Sequence, residues 1–427
     1  MPLIPQGLRP HCHLLRAGIP LVGALALGAC WSNRIGAELP TSAQNPFPPI
    51  PTPPPPLPSP SGTPGLPPWW PRAQSPGWKD SPYAGVLSGF LQGLAAQGGA
   101  LSQQGILLWT PQGELLAEHL LDRPLPVGAL DQLAISLMAL ETWGYEHRFE
   151  TRFYTTGHRS GHRLTGDLIL VGSGDPYFTE ANVAELARHL HSLGIRQIDG
   201  DVKVVPPFRL LGQPDPVAGA RRLAELLSGT QQPHPVAIGG SVSLLRDWPA
   251  DAHCLAVYTS LRLGSLLQLL NGSNDRAMAE ALLAELGGKT ALLEYLRQRL
   301  VAQPIARLDP QMAPAEQDIR LGEGGQALYL SPRALAHLWE HLLDLTDGDP
   351  TRILPRAGIG HSTLRARTLP PGTTAQVGSA AERLMLMGQL PNGHNFILLN
   401  HSPDLGVLRR QQDQFLQQVL AVGEPLR

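Results

Sequence analysis

The sequence is poor in the residues that define several common classes of protein. Among its 427 residues there are three cysteines, and only 5% of residues are aromatic and 16% charged. Three cysteines are too few for a disulfide framework, and no Cys/His spacing is typical of a zinc site. A net charge of −2 offers no basic surface, so we expect no nucleic-acid partner. We also expect no cofactor and no metal.

Long apolar runs are missing as well, and the one near the N-terminus is short. Ala17–Ala29 is apolar but falls below the roughly 20 residues that a transmembrane helix needs. It follows a basic start, which is typical of a signal peptide. It ends in Leu27-Gly28-Ala29-Cys30, which resembles the bacterial lipobox. We therefore predict a lipoprotein signal peptide at 1–29 and lipid attachment at Cys30, which would anchor an exported cell-envelope protein on the periplasmic side. An ordinary signal peptide with a chance cysteine is the alternative.

Proline, in contrast, is abundant, with 43 residues concentrated near the N-terminus. The segment Pro46–Pro71 cannot supply regular backbone hydrogen bonds and favours extended polyproline II. At about 3.1 Å per residue it would span roughly 80 Å. We predict that residues 30–80 form the lipid anchor and a spacer. Because Cys12 lies in the predicted signal peptide and Cys30 is the predicted lipidation site, we expect Cys254 to have no disulfide partner in the folded body.

The remaining sequence predicts an α+β protein with strands near both ends and helices between them. Gly105–Glu118 has two apolar runs around Pro111-Gln112-Gly113, which is typical of a hairpin. Arg383–Gly388 and Asn395–His401 predict a second hairpin. Apolar periodicity predicts helices at Leu130–Trp143, Val183–Leu193, Leu266–Leu286, Ala291–Leu300, Ala334–Leu345 and Leu408–Val422, and strands at Gly166–Val171 and Asp201–Val205.

Ordered segments of this body resemble the low-molecular-weight penicillin-binding proteins, the D-Ala-D-Ala carboxypeptidases and endopeptidases. They are Pro124–Glu150, Leu164–Pro176, Leu193–Val205, Leu266–Leu283, Leu354–Arg367 and Ala375–Leu399. The resemblance implies a β-lactamase-like transpeptidase fold, with an antiparallel sheet and a helical subdomain at 81–150 and 245–427. It also implies a small inserted α/β domain at 151–244, reduced relative to the family.

The resemblance further implies where three catalytic motifs fall. In the family, S-x-x-K supplies a serine nucleophile and a lysine base, S-x-N a second hydroxyl and an amide, and K-T-G a lysine that helps to hold the substrate carboxylate. The corresponding motif positions here are Ala129, Gln132, Asn274, Arg276, Gln376, Gly378 and Ser379. Of these, the last two keep the glycine and a hydroxyl, whereas the other five replace the family's residue.

These replacements predict a retained fold without its reaction. A methyl group is no nucleophile, and a glutamine amide does not take up a proton near neutral pH. Two other serines keep an active enzyme open as an alternative. Ser136 lies two turns beyond Ala129, and Ser273 lies one residue before the second motif.

Three hypotheses follow for the function of the chain. The first is an inactive homologue, or pseudoenzyme, that binds a peptidoglycan stem peptide or an envelope protein, with Arg276 pairing with a carboxylate. The second is an active serine-type carboxypeptidase or endopeptidase with an altered site. The third is a structural lipoprotein with no ligand in the cleft. A covalent penicillin adduct would single out the second hypothesis.

Overall fold

The computed structural model describes residues 13–16, 78–322, 327–360 and 362–423. Cys30, the predicted lipidation motif and the proline-rich segment lie outside these ranges, so they remain predictions. The described residues form two compact units. We call Phe149–Ser260, together with the N-terminal strand His13–Arg16, the insert unit, and residues 78–148 with 261–423 the main unit.

The chain forms helices and strands throughout both units. The strands are β1 (His13–Arg16), β2 (Gly105–Trp109), β3 (Leu115–His119), β4 (Leu125–Pro126), β5 (Arg148–Thr155), β6 (Arg159–Ser160), β7 (Arg163–Leu164), β8 (Leu168–Val171), β9 (Gln197–Ile198), β10 (Val202–Val205), β11 (Ala237–Ile238), β12 (Val242–Leu244), β13 (His253–Arg262), β14 (Ile319–Leu321), β15 (Leu328–Leu330), β16 (Thr374–Ala380), β17 (Arg383–Gln389) and β18 (Asn395–His401). The α-helices are α1 (Pro82–Ala96), α2 (Asp131–Trp143), α3 (Glu180–Ser192), α4 (Pro216–Ser228), α5 (Leu263–Ser273), α6 (Arg276–Glu285), α7 (Gly288–Leu296), α8 (Pro332–Leu345) and α9 (Leu405–Gly423).

The main unit is built on a five-stranded antiparallel sheet in the order β16-β17-β18-β2-β3. Alternate residues of its strands face opposite sides, as the strand period requires. On one side, Ile106 and Leu108 join the core formed with α1 and α9. On the other side, Trp109 donates its indole N–H to Glu340 of α8 at 2.7 Å. The sheet is therefore covered by helices on both faces, and β16 forms one of its edges.

Helix α2 lies at the centre of the helical part of the main unit. It contacts α5, α6, α7 and α8, and eight of its thirteen residues are buried. A helix enclosed in this way is apolar around most of its surface. It ends at Gly144, whose φ of 79° suits glycine, as the sequence predicted.

Several predicted elements are confirmed, and two need correction. Both hairpins are present, because β2 pairs with β3 and β17 pairs with β18. The predicted helix Leu266–Leu286 is wrong as one element, because Asn274 adopts a left-handed conformation that separates α5 from α6. The predicted helix Ala291–Leu300 changes at Arg297 into a π-helical turn. Helices α1 and α4 were not predicted from the sequence.

The insert unit has a mixed six-stranded sheet in the order β1-β13-β5-β8-β10-β12. Strands β8, β10 and β12 are parallel, with α3 and α4 in the connections between them, which is α/β construction. The unit ends at Ser260, whereas we expected the inserted domain to end at 244. The difference arises because β13 is hydrogen-bonded within this sheet, beside β5.

Two further features concern the ends of the insert unit and its cysteine. Phe149 donates its backbone N–H to the Ser260 hydroxyl at 2.9 Å, so the segment begins and ends at neighbouring points. In the main unit, Leu263 donates its backbone N–H to the His147 carbonyl at 2.7 Å. Cys254 is disulfide-bonded, and none of the described residues is its partner.

Among the described residues, no helix combines the length and the apolar character that a membrane span requires.

Candidate functional site

The first motif position lies where a short 3₁₀ turn, Gly128–Leu130, leads into α2. Ala129 presents only a methyl group there. Gln132, in the first turn of α2, has an exposed fraction of 3%. Its side-chain oxygen is buried and has no hydrogen-bond partner among the described residues. The turn and helix thus present a methyl group and a neutral carboxamide at the two positions of the first motif.

The second motif position is the junction between α5 and α6. Asn274 caps α5 with φ 55° and ψ 46°, and asparagine tolerates this left-handed region better than most residues do. The following residue, Asp275, caps α6 by accepting a hydrogen bond from the Met278 backbone N–H at 3.0 Å. Local capping chemistry therefore fixes the position of the Asn274 side chain.

The third motif position lies on the edge strand β16. Gln376 is fully buried, Gly378 is also buried, and Ser379 is exposed. A Cβ atom at Gly378 would lie 3.2 Å from the Val127 carbonyl oxygen and 3.3 Å from the Ala129 backbone nitrogen. Glycine is needed here because the strand passes so close to the turn that carries Ala129.

The second and third motifs are joined directly by carboxamide hydrogen bonds. Asn274 donates through Nδ2 to the Val377 carbonyl oxygen at 2.9 Å. Gln376 donates through Nε2 to Asn274 Oδ1, also at 2.9 Å. We call this arrangement the amide clasp. Together with the approach of Gly378 to Ala129, it brings all three motif segments to one place in the main unit.

Neither of the alternative serines is placed as a nucleophile. Ser273 is exposed, and its hydroxyl donates to the Leu269 carbonyl at 2.7 Å within its own helix. Ser136 is fully buried, and its hydroxyl donates to the Gln132 carbonyl at 2.8 Å and accepts from Asn271 Nδ2 at 3.1 Å. Because Asn274, not Ser273, contacts β16, the one-residue shift of the second motif is not supported.

Arg276 requires a correction. We expected a fixed positive charge in the former active site, available to a ligand carboxylate. Instead, 75% of its side chain is exposed, and its guanidinium pairs with Glu280 one turn along α6 at 2.8 Å. Its position at the start of α6 points this charge along the helix surface, where the i,i+4 partner neutralises it.

An acidic residue that the sequence analysis missed lies beside the site. Burial raises the pKa of Asp131 to about 6, although the nearby charges of Arg276 and Lys289 lower it. Asp131 lines a small cavity with Ile135 and Lys289, among mainly leucine side chains. Ala129, in the preceding 3₁₀ turn, does not line this cavity, and Asp131 makes no hydrogen bond to the clasp residues. The signal in the sequence was Asp131 itself, a single carboxylate at the start of the otherwise apolar helix α2.

Among the described residues, the acidic, histidine and cysteine side chains form no cluster of three or more that could hold a metal ion.

Residues 88–205 match the family model described as the D-Ala-D-Ala carboxypeptidase 3 (S13) family. The chain is related to this family. The resemblance predicted from the sequence is thereby confirmed, whereas the loss of the catalytic residues remains our interpretation of the motifs. No curated protein sequence matches the chain.

Solved structures support the fold assignment. The predatory peptidoglycan endopeptidase Bd3459 of Bdellovibrio bacteriovorus has 18% identity and a TM-score of 0.58, over 77% of this chain and 94% of that one. Penicillin binding protein 4 of Haemophilus influenzae has 17% identity and a TM-score of 0.57, over 78% and 98%. A second Bdellovibrio endopeptidase, Bd0816, has 15% identity and a TM-score of 0.57, over 76% and 94%. The predicted α+β, penicillin-binding-protein fold is confirmed.

Proposed function

We propose that this chain is a catalytically inactive relative of the D-Ala-D-Ala carboxypeptidases that acts in the cell envelope as a lipid-anchored binding protein. Its ligand would be a peptidoglycan stem peptide or an envelope protein. The observation that carries the proposal is the amide clasp, in which Asn274 and Gln376 bond to each other beside Ala129.

The chemistry supports loss of activity at each step. A nucleophile is absent at Ala129, and the hydroxyls of the two alternative serines, Ser136 and Ser273, are hydrogen-bonded within helices. Removing the nucleophile alone costs roughly a millionfold in kcat in a serine hydrolase. Gln132 cannot replace a lysine base because a carboxamide does not titrate in this range.

The clasp also changes how a ligand would meet the edge of β16. In a peptide complex formed by strand addition, the outward backbone groups of an edge strand bond to the peptide. Here the Val377 carbonyl already accepts a hydrogen bond from Asn274, while the Ser379 hydroxyl remains exposed. A stem peptide would therefore contact the end of β16 near Ser379 more readily than its centre.

Binding of an envelope protein is the second candidate. Bd3459 has been crystallised in complex with the immunity protein Bd3460, as has Bd0816. Because this chain shares the fold of these two endopeptidases, we propose a protein partner as the second candidate ligand.

Covalent labelling tests the loss of activity. The full chain is incubated with a fluorescent penicillin and examined by gel fluorescence and intact mass, with Bd3459 as the positive control because it has been captured acylated by penicillin G. We expect no adduct on this chain. An adduct at stoichiometric yield would instead establish the altered active enzyme.

Ligand binding needs a separate measurement. Thermal unfolding of the full chain is followed while purified muropeptides are added. A saturable rise in Tm supports stem-peptide binding. If every muropeptide leaves Tm unchanged, stem-peptide binding is wrong for this chain.

A further inference from the structure

The main unit has an open groove between its helices α1 and α9. The groove has a volume of about 210 Å³. Its floor includes Phe90 and Phe415, whose rings stack with their centroids 4.4 Å apart. A single water molecule needs roughly 10–15 Å³. The groove therefore has room for an occupant much larger than an isolated water molecule.

Glycines of α1 form one side of this groove and leave the helix backbone uncovered. Gly89 and Gly93 both line it, and Gly89 is exposed. A Cβ atom added at Gly89 would meet no heavy atom within 4 Å, and this residue has no positive φ. Glycine lowers helix propensity, yet neither packing nor backbone conformation requires it here. An occupant that approaches the helix backbone closely would require it.

Glutamine side chains of α9 form the other side of the groove. Gln411 and Gln414 line it one turn apart, and a third glutamine follows at Gln418. The side-chain oxygen of Gln411 is buried and has no hydrogen-bond partner among the described residues. A carboxamide both donates and accepts, so this side of the groove offers hydrogen bonds without charge.

The composition of the groove restricts the chemistry of its occupant. All of its lining residues are uncharged, so it provides no ionic partner for a carboxylate, a phosphate or an ammonium group. Aromatic-lined grooves bind proline-rich segments, because polyproline II has no internal hydrogen bonds and leaves its carbonyls free to accept. The chain itself contains such a segment, Pro46–Pro71, and this segment has no charged residue.

The place of this segment in the chain allows it to reach the groove. Seven residues lead from Pro71 to Trp78, where the described part of the main unit begins, and they span roughly 23 Å when extended. From Pro82, α1 rises about 10 Å to Gly89. Because the segment and the groove belong to one chain, their effective concentration is on the order of millimolar, so a weak contact suffices for docking.

We propose that the proline-rich segment Pro46–Pro71 docks in the groove between α1 and α9 of the same chain. Its carbonyls accept hydrogen bonds from the glutamine carboxamides. Its serine and threonine hydroxyls and its two indole N–H groups supply donors, so Gln411 finds a partner in either orientation of its carboxamide. The inference goes beyond the proposed function, because the groove shares no residue with the amide clasp. Docking would hold the main unit closer to the predicted anchor than a fully extended spacer does.

Photo-cross-linking within the full chain tests the docking. The substitution Gln414→p-benzoylphenylalanine places the cross-linker at an exposed position that lines the groove. After irradiation and trypsin digestion, we expect a product that joins residues 35–72 to residues 411–427, because each range is a single tryptic peptide. In a mixture of isotope-labelled and unlabelled chains, this product should carry one label state throughout. Mixed-label products, cross-links to other peptides only, or no cross-link would overturn the proposal.

Two substitutions on α1 test where the segment docks. Gly89→Leu fills the groove without meeting a neighbour, and leucine favours the helix, so the fold should be retained with an unchanged or higher Tm. We expect it to lower the cross-link yield roughly tenfold or more, because its side chain overlaps the docked segment. Ser88→Leu is the matched control, since it adds the same side chain at an adjacent exposed position outside the groove and should leave the yield unchanged. Equal yields in the two variants would contradict the proposal.

Discussion

Replacing Asp175 with asparagine should stabilise the protein, and only above acidic pH. Asp175 lies in the insert unit with 2% of its surface exposed. One carboxylate oxygen accepts a hydrogen bond from the Tyr177 backbone N–H at 2.9 Å, and the other is buried without a partner among the described residues. Burial raises the pKa of this carboxyl from 3.8 to about 7.

The direction of the pH dependence follows from the raised pKa. A carboxyl whose pKa is higher in the folded state favours folding while it is protonated. That contribution is fully present below about pH 4 and is lost as the pH rises towards about 7. A shift of about three pH units corresponds to at most about 4 kcal/mol in the free energy of unfolding. An asparagine side chain at this position would keep the acceptor for Tyr177 and carry no charge, so the variant should gain most of this free energy above about pH 7.

The free energy of unfolding of the wild-type chain and of Asp175→Asn is measured in urea at about pH 4.5 and about pH 8. These two conditions lie on either side of the protonation of Asp175. Asp201→Asn serves as the control, because hydrogen bonds from Lys203 and Ser241 lower the pKa of Asp201 and the sign reverses. A difference between wild type and Asp175→Asn that does not change with pH would refute the assignment of a buried, unpaired carboxylate.

Three further substitutions test the clasp and its surroundings. Asn274→Ala should lower the free energy of unfolding in urea by about 1–3 kcal/mol, because it leaves the buried Gln376 amide unpaired. Asn274→Gly should be about 1 kcal/mol less destabilising than Asn274→Ala, because glycine adopts the left-handed conformation without strain. Asp413→Asn should lower the free energy of unfolding by roughly 3 kcal/mol, because it leaves the Arg367 guanidinium, 2.6 Å away, as a buried charge without its ionic partner. A loss below about 1 kcal/mol would contradict burial of the pair. Arg276→Ala should change the free energy of unfolding by less than about 0.5 kcal/mol, because Arg276 and its partner Glu280 are both exposed. A larger loss would contradict this surface position and would indicate that Arg276 packs into the candidate site.

The sequence predicted those elements whose cause is local. The turn Pro111-Gln112-Gly113 was sufficient for the first hairpin, and Gly144 for the end of α2. The break at Asn274-Asp275 was also local, since an asparagine that ends one helix and an aspartate that begins the next are both capping signals. Apolar periodicity across the junction concealed it. The i,i+4 spacing of Arg276 and Glu280 likewise indicated an ion pair on the surface.

The remaining features depend on residues far apart in the chain. Helix α1 contains Gly85, Gly89 and Gly93, which lower its intrinsic helix propensity, and it forms because Leu87, Phe90 and Leu94 pack into the core with α9. The clasp joins positions 102 residues apart. The motif alignment predicted that these segments meet, but it could not predict that their carboxamides would bond to each other.

The hydrogen bond between Phe149 and Ser260 has a consequence for the connectivity of the chain. Because Phe149 and Ser260 are hydrogen-bonded, the two ends of this segment lie side by side within the insert unit. His147 and Leu263 are bonded in the same manner in the main unit. A chain that lacks residues 149–260 could therefore continue from His147 to Leu263 with little change in the backbone of the main unit.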